Sequence, residues 1–230
     1  VVVCNADITM SISHLLRGIS RSKSLVTKLG NLKTSLSIYI VYLLLDQSLK
    51  DKIQTGPGIW YLPTRFEIDN SINDVHMKYM SNEAIFLSIA SKLDPGLAPE
   101  NRDYIRLMIN TNHQPEKFWA EHSKVLNEKL ITQAEKIVPE LRSHINCIGR
   151  ATSCTMANYT YNRNGSVCGV LNSPDQVLDP IANYLPNVDG LYFVGHWITQ
   201  RYGNGGVAMV AETGRKVAKK IIDNRMCAKG

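Results

Sequence analysis

The chain has five cysteines among its 230 residues, Cys4, Cys147, Cys154, Cys168 and Cys227, and no Cys-x-x-Cys pair. An odd set without ligand spacing signals neither a zinc site nor a disulfide framework, and a reduced compartment is the simpler reading. Long hydrophobic runs are also missing. The most apolar stretch, LSIYIVYLLL at 36–45, is ten residues, about half of the roughly 20 that a membrane helix needs. Its Ile, Tyr and Val content suits a strand buried on both faces. No RNP-type aromatic string or Cys/His finger occurs, so nucleic acid is not an expected partner. There is no internal repeat or low-complexity tract. The chain opens on VVVCNAD without an initiating Met or a signal peptide, and is expected to be the middle of a longer protein.

What is present is ordinary for a globular protein: 44% hydrophobic and 20% charged residues. Lys and Arg number 26 against 20 Asp and Glu, a net charge of +6. That surplus is compatible with lipid headgroups or nucleotide phosphates without selecting either, and reads mainly as a solvated face. The sequons Asn158-Tyr159-Thr160 and Asn164-Gly165-Ser166 keep a lumenal location open. A cytoplasmic or peripheral-membrane location is the expectation.

Along the chain, VVVCNAD predicts a short strand and a turn, with Asp7 or Thr9 capping a helix through Ile8, Ile12, Leu15 and Leu16. A second short helix is expected near 23–32, then the buried strand at 36–45. Two or three short strands are expected within 53–82, and further strands at 83–91 and 103–112. Two prolines and a glycine in KLDPGLAPENR (92–102) predict a loop without regular structure. Phe118, Trp119, Val125, Leu126, Leu130, Ala134 and Ile137 fall at near-helical spacing between Pro115 and Val138. INCIGRATSCTMANYT predicts a strand followed by a short helix. His113, His122 and His144 lack ligand spacing and read as surface residues.

The last segment, GLYFVGHWITQRYGNGGVAMVAETGRKVAKKII (190–222), predicts strand, glycine turn and helix. A helix N-terminus presents unsatisfied N–H groups and partial positive charge, which suits an anion or an electron-rich group. The turn is Gly203-Asn204-Gly205-Gly206, with the next glycine at Gly214. This is not the dinucleotide fingerprint G-x-G-x-x-G, which must open a βαβ unit with an acidic residue downstream.

Five separated segments, in order, resemble one family. They are VVVCNAD (1–7), LKTSLSIYIVYLLLD (32–46), SKLDPGLAPENR (91–102), RATSCTMANYTYNRNGSVCGV (150–170) and 190–221. Together they resemble the C-terminal portion of the FAD-dependent phytoene desaturase, carotenoid isomerase and retinol saturase family, part of the amine-oxidase-like flavoproteins. The resemblance implies an α+β fold: a mixed β-sheet substrate domain with helices, plus the terminal strand–turn–helix of an FAD-binding α/β (Rossmann-like) domain. It implies an FAD-binding part at 1–20, a substrate-binding domain at 21–148 and a return to the FAD-binding domain at 149–230.

The resemblance further implies FAD contacts at Gly195, His196, Trp197, Gly203, Asn204, Gly205, Gly206 and Val207, and a substrate tunnel touching Arg150 and Tyr159. Many relatives have aspartate where this chain has His196, a weaker partner for a ribityl hydroxyl, and proline where it has Ser153. No metal is expected, and no catalytic residue is assigned. The implied activity is desaturation, isomerisation or saturation of a long apolar polyene or isoprenoid such as a carotenoid, with FAD as cofactor and possible contact with a membrane surface. Because the N-terminal fingerprint is absent, FAD binding is expected to need a missing N-terminal half or a partner chain. The alternative is a truncated, non-catalytic fragment or a partner-dependent substrate-binding module.

Overall fold

The computed structural model describes residues 1–16, 23–49, 51–53, 56–61, 85–178, 181–185, 187–199 and 206–227. In chain order its elements begin with β1 (Val2–Cys4) and α1 (Ile8–Met10), which runs on as a π-helical turn at Ser11–Leu15. Then come α2 (Lys23–Gly30), β2 (Ser37–Leu45), β3 (Gly58–Tyr61), β4 (Ile85–Ile89) and α3 (Ala90–Leu93). β5 (Tyr104–Thr111), α4 (Glu116–Glu135), β6 (Ile145–Ala151) and α5 (Ser153–Thr160) follow. The chain closes with α6 (Pro174–Leu178), β7 (Leu191–Phe193) and α7 (Val207–Cys227). Of the strands expected within 53–82, β3 is seen and the remainder of that segment lies outside the described residues.

Two compact units divide the chain, one from Val1–Ser37 with Met156–Gly230 and the other from Ile38–Thr155. The cuts fall at 37/38 and 155/156, where the sequence placed 20/21 and 148/149.

The unit at 38–155 is a five-stranded sheet in the order β3-β4-β5-β2-β6, covered by α4. The β3–β4, β4–β5 and β2–β6 pairs are antiparallel. Strand residues alternate between faces, so Val41, Leu43, Leu87, Ile89, Ile105 and Leu107 all point to one side and are fully buried. Against them α4 presents Trp119, Leu126, Leu130, Ile131 and Ala134, the inward stripe of a helix begun after Pro115. Each such aliphatic side chain contributes about 1.5–3 kcal/mol on burial, so this face dominates the unit's stability.

A carboxylate anchors the start of β5. Asp103 is 2% exposed and has no cationic partner among the described residues. Its Oδ2 accepts from the Leu49 N–H at 2.6 Å and the Ser48 hydroxyl at 3.1 Å, while Oδ1 accepts from the Ser91 hydroxyl at 2.8 Å. Neutral donors thus replace the water lost on burial, and two distant chain segments converge on this residue.

The expected loop at 92–102 is more ordered than its prolines and glycine suggested. α3 continues β4 to Leu93, and Pro95–Leu97 forms a 3-10 turn. Pro95 stands at the start of that turn, where no N–H is needed. The Asp94 carboxylate accepts from the Gly96 N–H at 2.9 Å and caps it.

The unit built from 1–37 and 156–230 contains the parallel pair β1–β7, with Val2 opposite Leu191 and Cys4 opposite Phe193. Its core gathers Ile8, Ile12, Leu29, Val170, Phe193, Trp197 and Ile198. Among the described residues Cys4, Cys147, Cys154 and Cys168 are free thiols, and burial pushes the Cys154 and Cys168 thiols above their ordinary value.

Replacing Asp103→Ala leaves the Leu49 N–H and two hydroxyls unpaired inside the protein. Stability is expected to fall by about 2–4 kcal/mol, read as a lower urea midpoint by circular dichroism, whereas Ser48→Ala costs about 1 kcal/mol.

Candidate functional site

The strand–turn–helix at the end of the chain is assembled from both of its distant pieces. β7 runs beside β1, and the Val194 N–H donates to the Cys4 carbonyl at 2.9 Å. Gly195 then leaves the strand with φ +95°, a conformation that L side chains rarely adopt. A Cβ added there would overlap the Asn5 side-chain oxygen, so the vacancy at Gly195 is filled by Asn5. The buried Gly195 N–H donates to the Thr213 hydroxyl at 2.9 Å, and that hydroxyl donates to the Val210 carbonyl at 2.7 Å. One threonine therefore fixes the strand end to the second turn of α7.

His196, Trp197 and Ile198 form a 3-10 turn after Gly195. Trp197 is 1% exposed and its indole N–H donates to Asn162 Oδ1 at 3.1 Å. The His196 ring and carbonyl lie against Gly169, whose φ is +74° and whose missing Cβ makes room for them. His196 Nε2 is closed to water and makes no hydrogen bond. Burial holds the imidazole below its ordinary pKa, with the Asp7 carboxylate pulling the other way.

Asp7 organises the floor of this region. Oδ1 caps α1 by accepting from the Thr9 and Met10 N–H groups at 2.8 and 3.1 Å, and Oδ2 accepts from the Arg163 N–H at 2.9 Å. The Arg163 guanidinium donates in turn to the Leu29 and Leu32 carbonyls at 3.1 and 2.8 Å, at the C-terminal end of α2. A cation there complements the helix dipole and its unpaired carbonyls.

α7 begins in the open. Gly206, Val207 and Ala208 are exposed, Val207 to 90%. The first bond within the helix runs from the Val210 N–H to the Gly206 carbonyl at 3.0 Å, and the first turn holds no acidic residue. Among the described residues nothing accepts from the N–H groups of the first turn, which suits an electron-rich partner. A Cβ at Gly206 would meet nothing within 4 Å, so no packing among the described residues requires glycine there.

Of the residues expected to touch a cofactor, Gly195, His196, Trp197, Gly206 and Val207 thus lie in one unit. Gly203, Asn204 and Gly205 fall outside the described residues. Arg150 is exposed on β6 in the other unit, and Tyr159 is 84% exposed on α5. Asn5, Thr213, Gly169 and Arg163 were not singled out from the sequence. All four lie inside segments that resemble the flavoproteins, but no local pattern marks any of them as a contact. Among the described residues no group of three or more His, Cys, Asp or Glu is placed to hold a metal ion. No helix among them is long and apolar enough to cross a membrane.

No protein-family model matches the chain, and no curated protein matches it. Among solved structures, an oxidoreductase from Methanosarcina mazei has a similar fold, with a TM-score of 0.55 at 16% identity. The match covers 95% of this chain and 42% of that one, so this chain spans less than half of the oxidoreductase it resembles. The likeness shows a shared fold with α and β elements.

Gly195→Ala combines the overlap with Asn5 and a forbidden φ, and is expected to cost about 3 kcal/mol or more. Denaturant midpoints test this: Asn5→Ala in the same chain should restore part of the loss, relieving the overlap and leaving the backbone strain. A second expectation concerns acid. His196 titrates lower when folded than the ordinary histidine value of about 6.5, so between the two values the unfolded chain binds more protons. Its contribution to stability is complete above about pH 6.5 and lost as pH falls through the folded value. The loss of stability on acidification should therefore be shallower in His196→Gln, measured by urea unfolding from pH 7.5 to 5.

Proposed function

We propose that this chain is the C-terminal portion of an FAD-dependent oxidoreductase, a desaturase, isomerase or saturase acting on a long apolar polyene or isoprenoid. The observation that carries this reading is the open first turn of α7, set beyond a glycine that ends a parallel strand. A fold shared with an oxidoreductase supports it, as do the five segments resembling the flavoproteins.

The residues present suit the cofactor. The first-turn N–H groups of α7 supply fixed positive potential, and that turn itself holds no acidic residue. His196 offers a neutral ring whose buried Nε2 lacks a partner, which suits a hydroxyl of the ribityl chain. Gly206 leaves space for a flat ring to approach the backbone. When bound, FAD supplies hydride transfer. This chain then orients that group, stabilises negative charge beside α7 and keeps an apolar substrate out of water. Gly195 and Gly169 act in a different way: their vacancies are filled by Asn5 and His196, so they shape the cradle without meeting the cofactor.

A second reading, a substrate-binding module that depends on a partner and lacks catalysis of its own, draws on a different observation. The parallel sheet has two strands among the described residues, and Val1, Val2 and Val3 are 66%, 61% and 50% exposed. Parallel sheets are ordinarily covered on both faces, so this edge calls for further protein, whichever activity the assembly has.

Visible absorption after mixing with FAD and gel filtration tests the proposal. Structured flavin bands should be retained when the chain is combined with an N-terminal segment that holds a dinucleotide fingerprint. Gly206→Val should lower FAD affinity by about tenfold or more while leaving the unfolding midpoint within about 0.5 kcal/mol of the native value. Retention unaffected by Gly206→Val contradicts the placement at α7, and a colourless assembly favours the second reading.

A further inference from the structure

The outer face of the five-stranded sheet, opposite α4, carries a charge that no carboxylate among the described residues neutralises. Alternation along β2, β4 and β5 puts Ile40, Tyr42, Phe86, Tyr104 and Met108 on this face. Ile40 is buried and the other four are half-buried. The Tyr42 and Tyr104 rings stack with centroids 6.1 Å apart and planes within 11°. Glycines on the neighbouring strands keep the surface flat: an added Cβ would meet the Phe86 ring at 3.3 Å from Gly58, and the Tyr42 side chain at 3.6 Å from Gly149. A flat, aromatic, apolar face of this kind suits an extended, planar chain.

Arg106 stands in the middle of it, opposite Ser88 in the β4–β5 register. Its Nη2 donates to the Ser88 hydroxyl at 3.2 Å, and its Nε is closed to water without a partner. Among the described residues no carboxylate pairs with this guanidinium. A guanidinium is always charged, and its planar fork matches a carboxylate bidentately. Half-buried among aromatic side chains, it is held where an ion pair gains more than at an open surface. The Ser88 hydroxyl, while accepting from Arg106, keeps its own proton to donate to the same anion.

We propose that this face binds an elongated apolar chain ending in a carboxylate, with Arg106 and Ser88 gripping the carboxylate and Tyr42, Phe86, Tyr104 and Met108 lying along the chain. This rests on the reading of the protein as an oxidoreductase for apolar substrates, and narrows the substrate from a hydrocarbon to an acid. Arg106 is the residue that distinguishes the two.

The test uses the purified 230-residue chain and the fluorescent tetraene cis-parinarate, with its methyl ester as the uncharged match. Titrations should show the acid binding at least about tenfold more tightly than the ester. In Arg106→Gln the two should bind alike, with the ester's affinity kept within about twofold of native, and Arg106→Lys should restore part of the preference. Equal binding of acid and ester to the native chain overturns the carboxylate proposal while leaving an apolar-substrate reading intact. A full preference surviving in folded Arg106→Gln also overturns it, because the cation would then lie elsewhere. Failure of both probes to bind, or a dimer that excludes them, removes the apolar site itself and the proposal with it. Should Arg106→Gln lose its circular dichroism signal, Ser88→Ala replaces it: the preference should narrow several-fold, and an unchanged preference overturns the assignment.

Discussion

The carboxylate of Asp7 holds together two pieces of chain that the sequence keeps far apart. It caps α1 with one oxygen and receives the Arg163 N–H with the other, and it is 2% exposed. Arg163 passes the connection on to the end of α2 through the Leu29 and Leu32 carbonyls. Nearby, the Ser35 hydroxyl meets that of Ser166 at 2.7 Å, and the Gln176 side chain accepts from the Lys33 N–H at 2.7 Å. These bonds bring residues 1–37 and 156–230 into one unit. Only with that closure does β1 lie beside β7, with Asn5 against Gly195. The candidate site therefore depends on long-range polar contacts in a small unit whose parallel sheet has two strands among the described residues.

Its glycines divide by what fills the space a Cβ would take. At Gly195 and Gly169 the chain's own atoms occupy that space and φ is positive, so glycine there is a requirement of folding. At Gly206 nothing occupies it, and the residue stands at the exposed mouth of a 21-residue helix. A glycine with open space around it, in a turn whose N–H groups lack partners among the described residues, is the feature on which the proposed cofactor contact rests. The same logic applies to Arg106, a guanidinium on an aromatic face with no carboxylate partner among the described residues.

Much of this was legible because strong local patterns met little competition. The buried strand at 36–45 and the helix starting near Pro115 follow from apolar periodicity, and each lies within a few residues of β2 and α4. Asp7 was readable as a helix cap from its position before Ile8. Its second bond to Arg163 was not, because no local pattern announces a partner 156 residues away. The loop at 92–102 shows the reverse error: proline and glycine lowered the expectation of order, yet a proline at the first position of a turn and an aspartate before it favour a 3-10 helix. The candidate site divided in the same way. Gly195 and Gly206 stood out as glycines, whereas the different physical reasons for each required neighbours that only the fold supplies.

The central claim is that the first turn of α7 faces the cofactor. Amide hydrogen exchange of the chain, assembled with a fingerprint-bearing N-terminal segment and compared with and without FAD, tests it residue by residue. The account predicts slowed exchange at Val207, Ala208 and Met209 on adding FAD, with the α4 amides unchanged. Protection confined to the five-stranded unit, with these three amides exchanging as before, would contradict it.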